Sequence, residues 1–128
     1  MLKKFLFAMI GLSLLTVVIG ACSIKDTGGA PTGPVVKMGP STFLQAKIDV
    51  TKGQTLTLQN PSSQSHVISN GTWAGATPKA GAEPNAPKAQ NVSVQVGGSM
   101  ELGPFTTAGT YEYFCTIHGG MNLTVTVK

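Results

Sequence analysis

A chain of 128 residues has room for one domain and a short tail. Its hydrophobic share of 41% suits a globular protein, and its charged share of 11% is low. All nine basic residues are lysine; the formal charge of +4 therefore lacks the arginines that grip phosphate in bidentate fashion and makes a poor case for a nucleic-acid partner.

The opening segment, "MLKKFLFAMIGLSLLTVVIGAC", has a basic start at Lys3 and Lys4, an apolar run from Phe5 to Ile19, and small residues before Cys22. That is the layout of an export signal. The segment "IGAC", Ile19 to Cys22, resembles the lipobox of bacterial lipoproteins, which are cut before the cysteine and acylated on it. An ordinary cleaved signal and an uncleaved anchor are the alternatives. The anchor is the weaker of the two, because Phe5 to Ala21 is only marginally long for a membrane span. Residues 1–21 are thus read as a signal peptide and Cys22 as a lipidation site. Residues 22–34, rich in Gly, Pro and Thr, read as a flexible tether, and 35–128 as the domain. The expected location is outside the cytoplasm, as a membrane-anchored lipoprotein facing the periplasm or the cell exterior.

From Val35 onward the pattern is β. "TFLQAKIDV" and "QTLTLQN" flank the turn signal "TKG". "HVIS" is a short apolar run ending in "NG". "NVSVQV" alternates, with Val92, Val94 and Val96 on one face. "GTYEYFC" sets Tyr111, Tyr113 and Cys115 on one face and Phe114 on the other, and "NLTVTVK" opposes Leu123, Val125 and Val127 to Thr124 and Thr126. Period-2 alternation gives each strand an inward and an outward face. Six or seven such strands predict an all-β, two-sheet antiparallel sandwich. The exception is Gly71 to Gln90, where Pro78, Pro84 and Pro87 interrupt any helix. It reads as a long irregular excursion with room for one turn of helix, either functional or a floppy insertion. Trp73 opens it as a packing anchor.

Only two cysteines exist, Cys22 and Cys115. If Cys22 carries lipid, Cys115 has no disulfide partner, and an unpaired thiol in an exported protein needs a reason. The domain also holds two histidines, His66 and His118, and three methionines, Met38, Met100 and Met121. One thiolate, two imidazoles and a nearby thioether are the donor set of a blue-copper electron-transfer site. Cu(I) favours soft sulfur, Cu(II) favours nitrogen, and a trigonal His₂Cys set with a long axial Met lies between the two. Cys115, His118 and Met121 converge within seven residues, whereas His66 comes from 49 positions upstream. Taken singly, each has an ordinary reading: a buried thiol, a loop histidine, a turn residue, a core methionine. Met38 and Met100 are assigned to packing.

"AGTYEYFCTIHGGM", residues 108 to 121, resembles the ligand segment of cupredoxins, the small blue copper proteins that include plastocyanin and amicyanin. "VTKGQTLTLQN" followed by "SH" resembles the family's upstream half. The similarity runs from Val35 to Lys128, and the two residues between His118 and Met121 match the short amicyanin-type loop. The resemblance implies a cupredoxin-like Greek-key sandwich with one type 1 copper per chain, held by His66, Cys115, His118 and Met121. Two positions depart from the pattern. Many cupredoxins have asparagine after the first histidine, tying the ligand loops together; here it is Val67, which leaves that task to another group such as Asn60. A proline commonly precedes the second histidine, and here it is Ile117.

The function implied is a monomeric one-electron carrier rather than an enzyme, with redox donor and acceptor docking near His118 and membrane contact through the lipid anchor. Gly119 and Gly120 would leave the edge of His118 approachable, and Ile117 would add to an apolar patch or to the core. The alternative is an extracytoplasmic copper-binding or delivery protein. A Cys115–His118 hydrolase lacks an oriented third partner. Too few histidines remain for a multicopper oxidase, and zinc has no use for a thioether.

Overall fold

The computed structural model describes residues 33–128. The expected signal, lipidation site and most of the tether lie outside the described residues. Nine strands follow in order: β1 Val35–Lys37, β2 Lys47–Val50, β3 Leu56–Gln59, β4 His66–Ala74, β5 Thr77–Ala80, β6 Val92–Val94, β7 Ser99–Leu102, β8 Gly109–Cys115 and β9 Asn122–Val127. No helix occurs among the described residues. β1, β3 and β7 form one sheet; the other has the order β2-β9-β8-β4-β5, with β6 also pairing β4. The all-β sandwich is as expected, but the sheets are mixed. β1 runs parallel to β3 and β2 parallel to β9, while the remaining ladders are antiparallel. Alternation sets which face a residue occupies and is blind to a neighbour's direction.

β8 and β9 follow their alternation closely. Tyr111 faces Val125 and Tyr113 faces Leu123 across the ladder, and all four are buried. Leu56, Leu58, Leu102 and Phe105 join them in one core with Val36 and Ile68. Met38 is fully buried and Met100 packs against this core, as the packing assignment expects. β6 departs from expectation: it stops at Val94, and Val96 is exposed. The Gln95–Gly98 turn, with Gly97 at φ +76°, ends the strand before Val96 can turn inward.

"NG" does not end the fourth strand. β4 passes through Asn70-Gly71 for nine residues and pairs in succession with β6, β8 and β5. Gly71 sits at φ +128°, and a Cβ there would fall 2.2 Å from the Lys79 carbonyl oxygen. β5 tolerates Pro78 because it is an edge strand, joined to β4 through Gly75-Ala76. The rest of the excursion is a strap bound by hydrogen bonds, with no turn of helix. Asn70 donates to the Pro87 carbonyl and accepts from Ala89 N, Tyr113 Oη donates to Pro87, and Glu83 accepts from Glu112 N. These ties leave no floppy insertion.

Candidate metal centre

His66 opens β4 and is completely buried, its Cα paired with Val94 of β6. The loop that delivers it is organised by Asn60, which is 1% exposed. Asn60 Nδ2 donates to the carbonyls of Gln64 at 2.8 Å, Val94 at 3.1 Å and Gln95 at 3.1 Å. Its Oδ1 accepts from Ser62 N at 3.2 Å and Ser62 Oγ at 2.7 Å. One amide therefore ties the turn before His66 to the end of β6, saturating a side chain that would be costly to bury unpaired.

Cys115 ends β8 and is also completely buried. Its N–H donates to the Met121 carbonyl at 3.0 Å, and Met121 N–H donates to the His118 carbonyl at 3.2 Å. The second bond closes a turn whose third residue, Gly120, has φ +76°, a conformation glycine adopts without penalty. Met121 is 1% exposed, immediately before β9. His118 is half-buried, and Ile117 beside it is 55% exposed, which places Ile117 on the surface rather than in the core.

The structure brings His66, Cys115 and His118 together: one ligand atom from each lies within 4.8 Å of the others. Cys115 Sγ is 3.3 Å from His118 Nδ1. The two imidazole rings have centroids 4.9 Å apart and are tilted by 53°. His66 Nε2 lies 3.4 Å from Ser62 Oγ, whereas its Nδ1 is buried without a hydrogen-bond partner. A buried ring nitrogen costs free energy unless it finds a partner. Burial holds the His66 imidazole below its usual range, the neighbouring His118 adds to this, and a hydrogen bond to the Gly39 backbone opposes it. Both effects favour the neutral ring, the form that ligates metal. A buried thiol, two imidazoles and an unpartnered buried ring nitrogen suit a soft, borderline transition metal such as copper.

The link between the two ligand segments differs from the one anticipated. Asn60 orders only the His66 side. The tie across is made by the backbone of Val67, whose N–H donates to Cys115 Sγ at 3.5 Å and whose carbonyl accepts from Thr116 N at 2.8 Å. No side chain at position 67 is needed for either bond, so the identity of that residue carried no signal. Trp73 was also undervalued. Its ring does pack, edge-on to Phe114, but its Nε1–H also donates to the Cys115 carbonyl at 2.8 Å.

Comparison with known proteins agrees with this geometry. No curated protein matches the chain significantly. Among solved structures, the reduced Cu(I) form at pH 4 of an amicyanin variant shares 25% identity at a TM-score of 0.58, covering 79% of this chain and 87% of that one. The reduced state of a second amicyanin variant shares 24% at 0.59, with 79% and 87% covered. Amicyanin from Paracoccus versutus (Thiobacillus versutus) shares 20% at 0.58, with 79% and 86% covered. The last two likenesses concern the fold alone. The sequence profile of copper binding proteins of the plastocyanin/azurin family matches residues 35–128, most of the chain. The chain belongs to that family, the cupredoxins, and copper is its cofactor.

Proposed function

We propose that this protein is a one-electron carrier working outside the cytoplasm, with His66, Cys115, His118 and Met121 as the ligands of a single type 1 copper. The observation that carries the reading is the meeting of three ligand atoms within 4.8 Å, one from each of His66, Cys115 and His118, beside a His66 ring whose Nδ1 is buried and unpartnered. When bound there, copper supplies a centre that gains and loses one electron. The protein's part is to hold the donors still. His66 and Cys115 are fixed by strands β4 and β8, and the Val67 backbone locks those strands together at the site. A cage held in one shape by its scaffold need not rearrange when the charge changes, which favours fast transfer.

His118 is the exit. It is half-buried where His66 and Cys115 are fully buried, and Gly119 and Gly120 beside it are exposed and have no side chains to block approach. Exposed Ile117 flanks it. Leu44, 62% exposed, lies beside Gly39. An apolar surface of this kind suits brief docking of redox partners, with the rim setting encounter rates. Residues 1–21 would direct export, acylated Cys22 would hold the mature chain at a membrane, and residues 22–34 would let the domain reach its partners.

Copper delivery is less well supported, because full burial of His66 and Cys115 favours retention over hand-off. The same burial leaves the sulfur no approach for an acyl substrate, which argues against thiol hydrolysis. Copper reconstitution followed by visible spectroscopy and voltammetry tests the proposal. One equivalent of Cu(II) should give an intense blue absorption and reversible one-electron cycling. A colourless complex, or one that releases copper on reduction, would refute it.

A further inference from the structure

Trp73 reaches Cys115 by an unusual path. β4 pairs with β8 as Ile68↔Cys115, Ser69↔Phe114 and Asn70↔Tyr113. Continued past Asn70, that register would set Trp73 opposite Thr110, far down β8 from the site. Instead that ladder ends at Asn70, and the next residue, Gly71, takes a φ of +128° that only glycine adopts easily as β4 moves on to pair with β5. Beyond it, the Trp73 indole reaches the opposite end of β8, where Nε1–H donates to the Cys115 carbonyl at 2.8 Å.

The Trp73 backbone is held in turn by Asn122, the first residue of β9. Trp73 N–H donates to Asn122 Oδ1 at 2.7 Å, and Asn122 Nδ2 donates to the Trp73 carbonyl at 3.1 Å. Asn122 itself pairs with Phe114 across the β8–β9 ladder. The strand order is β9-β8-β4, so this bracket spans the last two residues of β8 from both neighbours. Two hydrogen bonds thus hold the Trp73 backbone on Asn122, a third joins its indole to the Cys115 carbonyl, and its ring meets Phe114 edge-on at a centroid distance of 6.0 Å.

We propose that Trp73, braced by Asn122, is a positioning residue for the copper site: its indole N–H fixes the Cys115 peptide plane and thereby the direction in which the thiol points. Val67 N–H and the Met121 carbonyl hold the sulfur and the amide of Cys115, and Trp73 holds the remaining polar group, the carbonyl. The consequence for the metal rests on the copper reading, but the clamp itself can be tested without metal.

The full-length protein is compared with Trp73→Phe, which keeps an aromatic ring against Phe114 but removes the N–H along with part of the indole, and with Asn122→Ala, which leaves the indole whole and removes its brace. In the metal-free forms, iodoacetamide labelling of Cys115, located by mass spectrometry, should speed up roughly three- to tenfold, the equilibrium weight of one hydrogen bond. Amide exchange at Thr116 should quicken to match, and the double variant should add little to either single change. In the Cu(II) forms, the thiolate-to-copper absorption should shift, while a cooperative melt persists. Should Trp73→Phe not fold, Asn122→Ala decides by the same readouts. A lowered melting temperature with unchanged labelling, exchange and absorption would reduce Trp73 to packing alone. Failure of the unaltered protein to take copper would defeat the copper reading, with the metal-free measurements still deciding the clamp.

Discussion

The two segments that meet at the metal centre are built on different terms. Cys115, His118 and Met121 lie within one seven-residue stretch, so forming the β8–β9 hairpin brings them close at little entropic cost. His66 arrives from 49 residues away. Closing a loop of that length costs about 1.7 kcal/mol more than closing the short one, on the logarithmic dependence of loop entropy. That is within the reach of two or three net hydrogen bonds, and the Asn60 amide makes five. The sulfur side is placed by chain proximity and the distant imidazole by a polar hub.

Four substitutions sharpen that comparison. Cys115→Ser has the largest expected effect: it leaves the hairpin intact but removes the soft donor, so the blue absorption should vanish in a copper titration. Asn60→Leu attacks the other side. It removes a donor from the buried Val94 carbonyl and one of two donors from the carbonyls of Gln64 and Gln95, which keep Ser62 Oγ and Gly98 N–H. The cost should be roughly 1–3 kcal/mol in urea unfolding. Because only the His66 loop depends on Asn60, copper should still bind the hairpin but without the second imidazole, visible in the nitrogen hyperfine pattern of the Cu(II) form. Equal damage to both sides would erase the distinction. Met121→Leu is milder: the absorption should persist and the reduction potential should rise by voltammetry, and an unchanged potential would show that the thioether does not sense the metal.

Val67→Asn should do least. The tie between segments runs through the Val67 backbone, so an added amide has no vacant role, and the change in stability should stay within about 0.5 kcal/mol in thermal melts. A clear gain would mean that the two segments are held more loosely than the backbone bonds imply.

The proposed donor set was readable from sequence because each of its residues carries its own chemistry, and the structure brings three of the four together. A thiol, two imidazoles and a thioether announce themselves, and the alternation of "GTYEYFC" and "NLTVTVK" placed Cys115 at a strand end. What holds the donors was largely hidden. Val67 acts through its peptide group, and Trp73 bonds a carbonyl 42 residues away. Backbone donors and acceptors are the same at every position, so they leave no trace in residue identity. The fold shows the same division. Strands with one wet face were legible, but "NG" suggested a turn where Gly71 instead lets two backbones approach within a strand. Pro78 hid an edge strand at Thr77–Ala80, and nothing in an alternating pattern could reveal the parallel pairings of β1 and β2.

In the proposed centre a distant, fully buried imidazole completes a sulfur-rich hairpin site around one copper ion. Electron–nuclear double resonance on the Cu(II) protein, with His66 and His118 replaced one at a time, tests it most directly. The unaltered protein should show two inequivalent imidazoles, and His66→Ala should lose one of them. A spectrum with a single imidazole, or one that His66→Ala leaves unchanged, would contradict it.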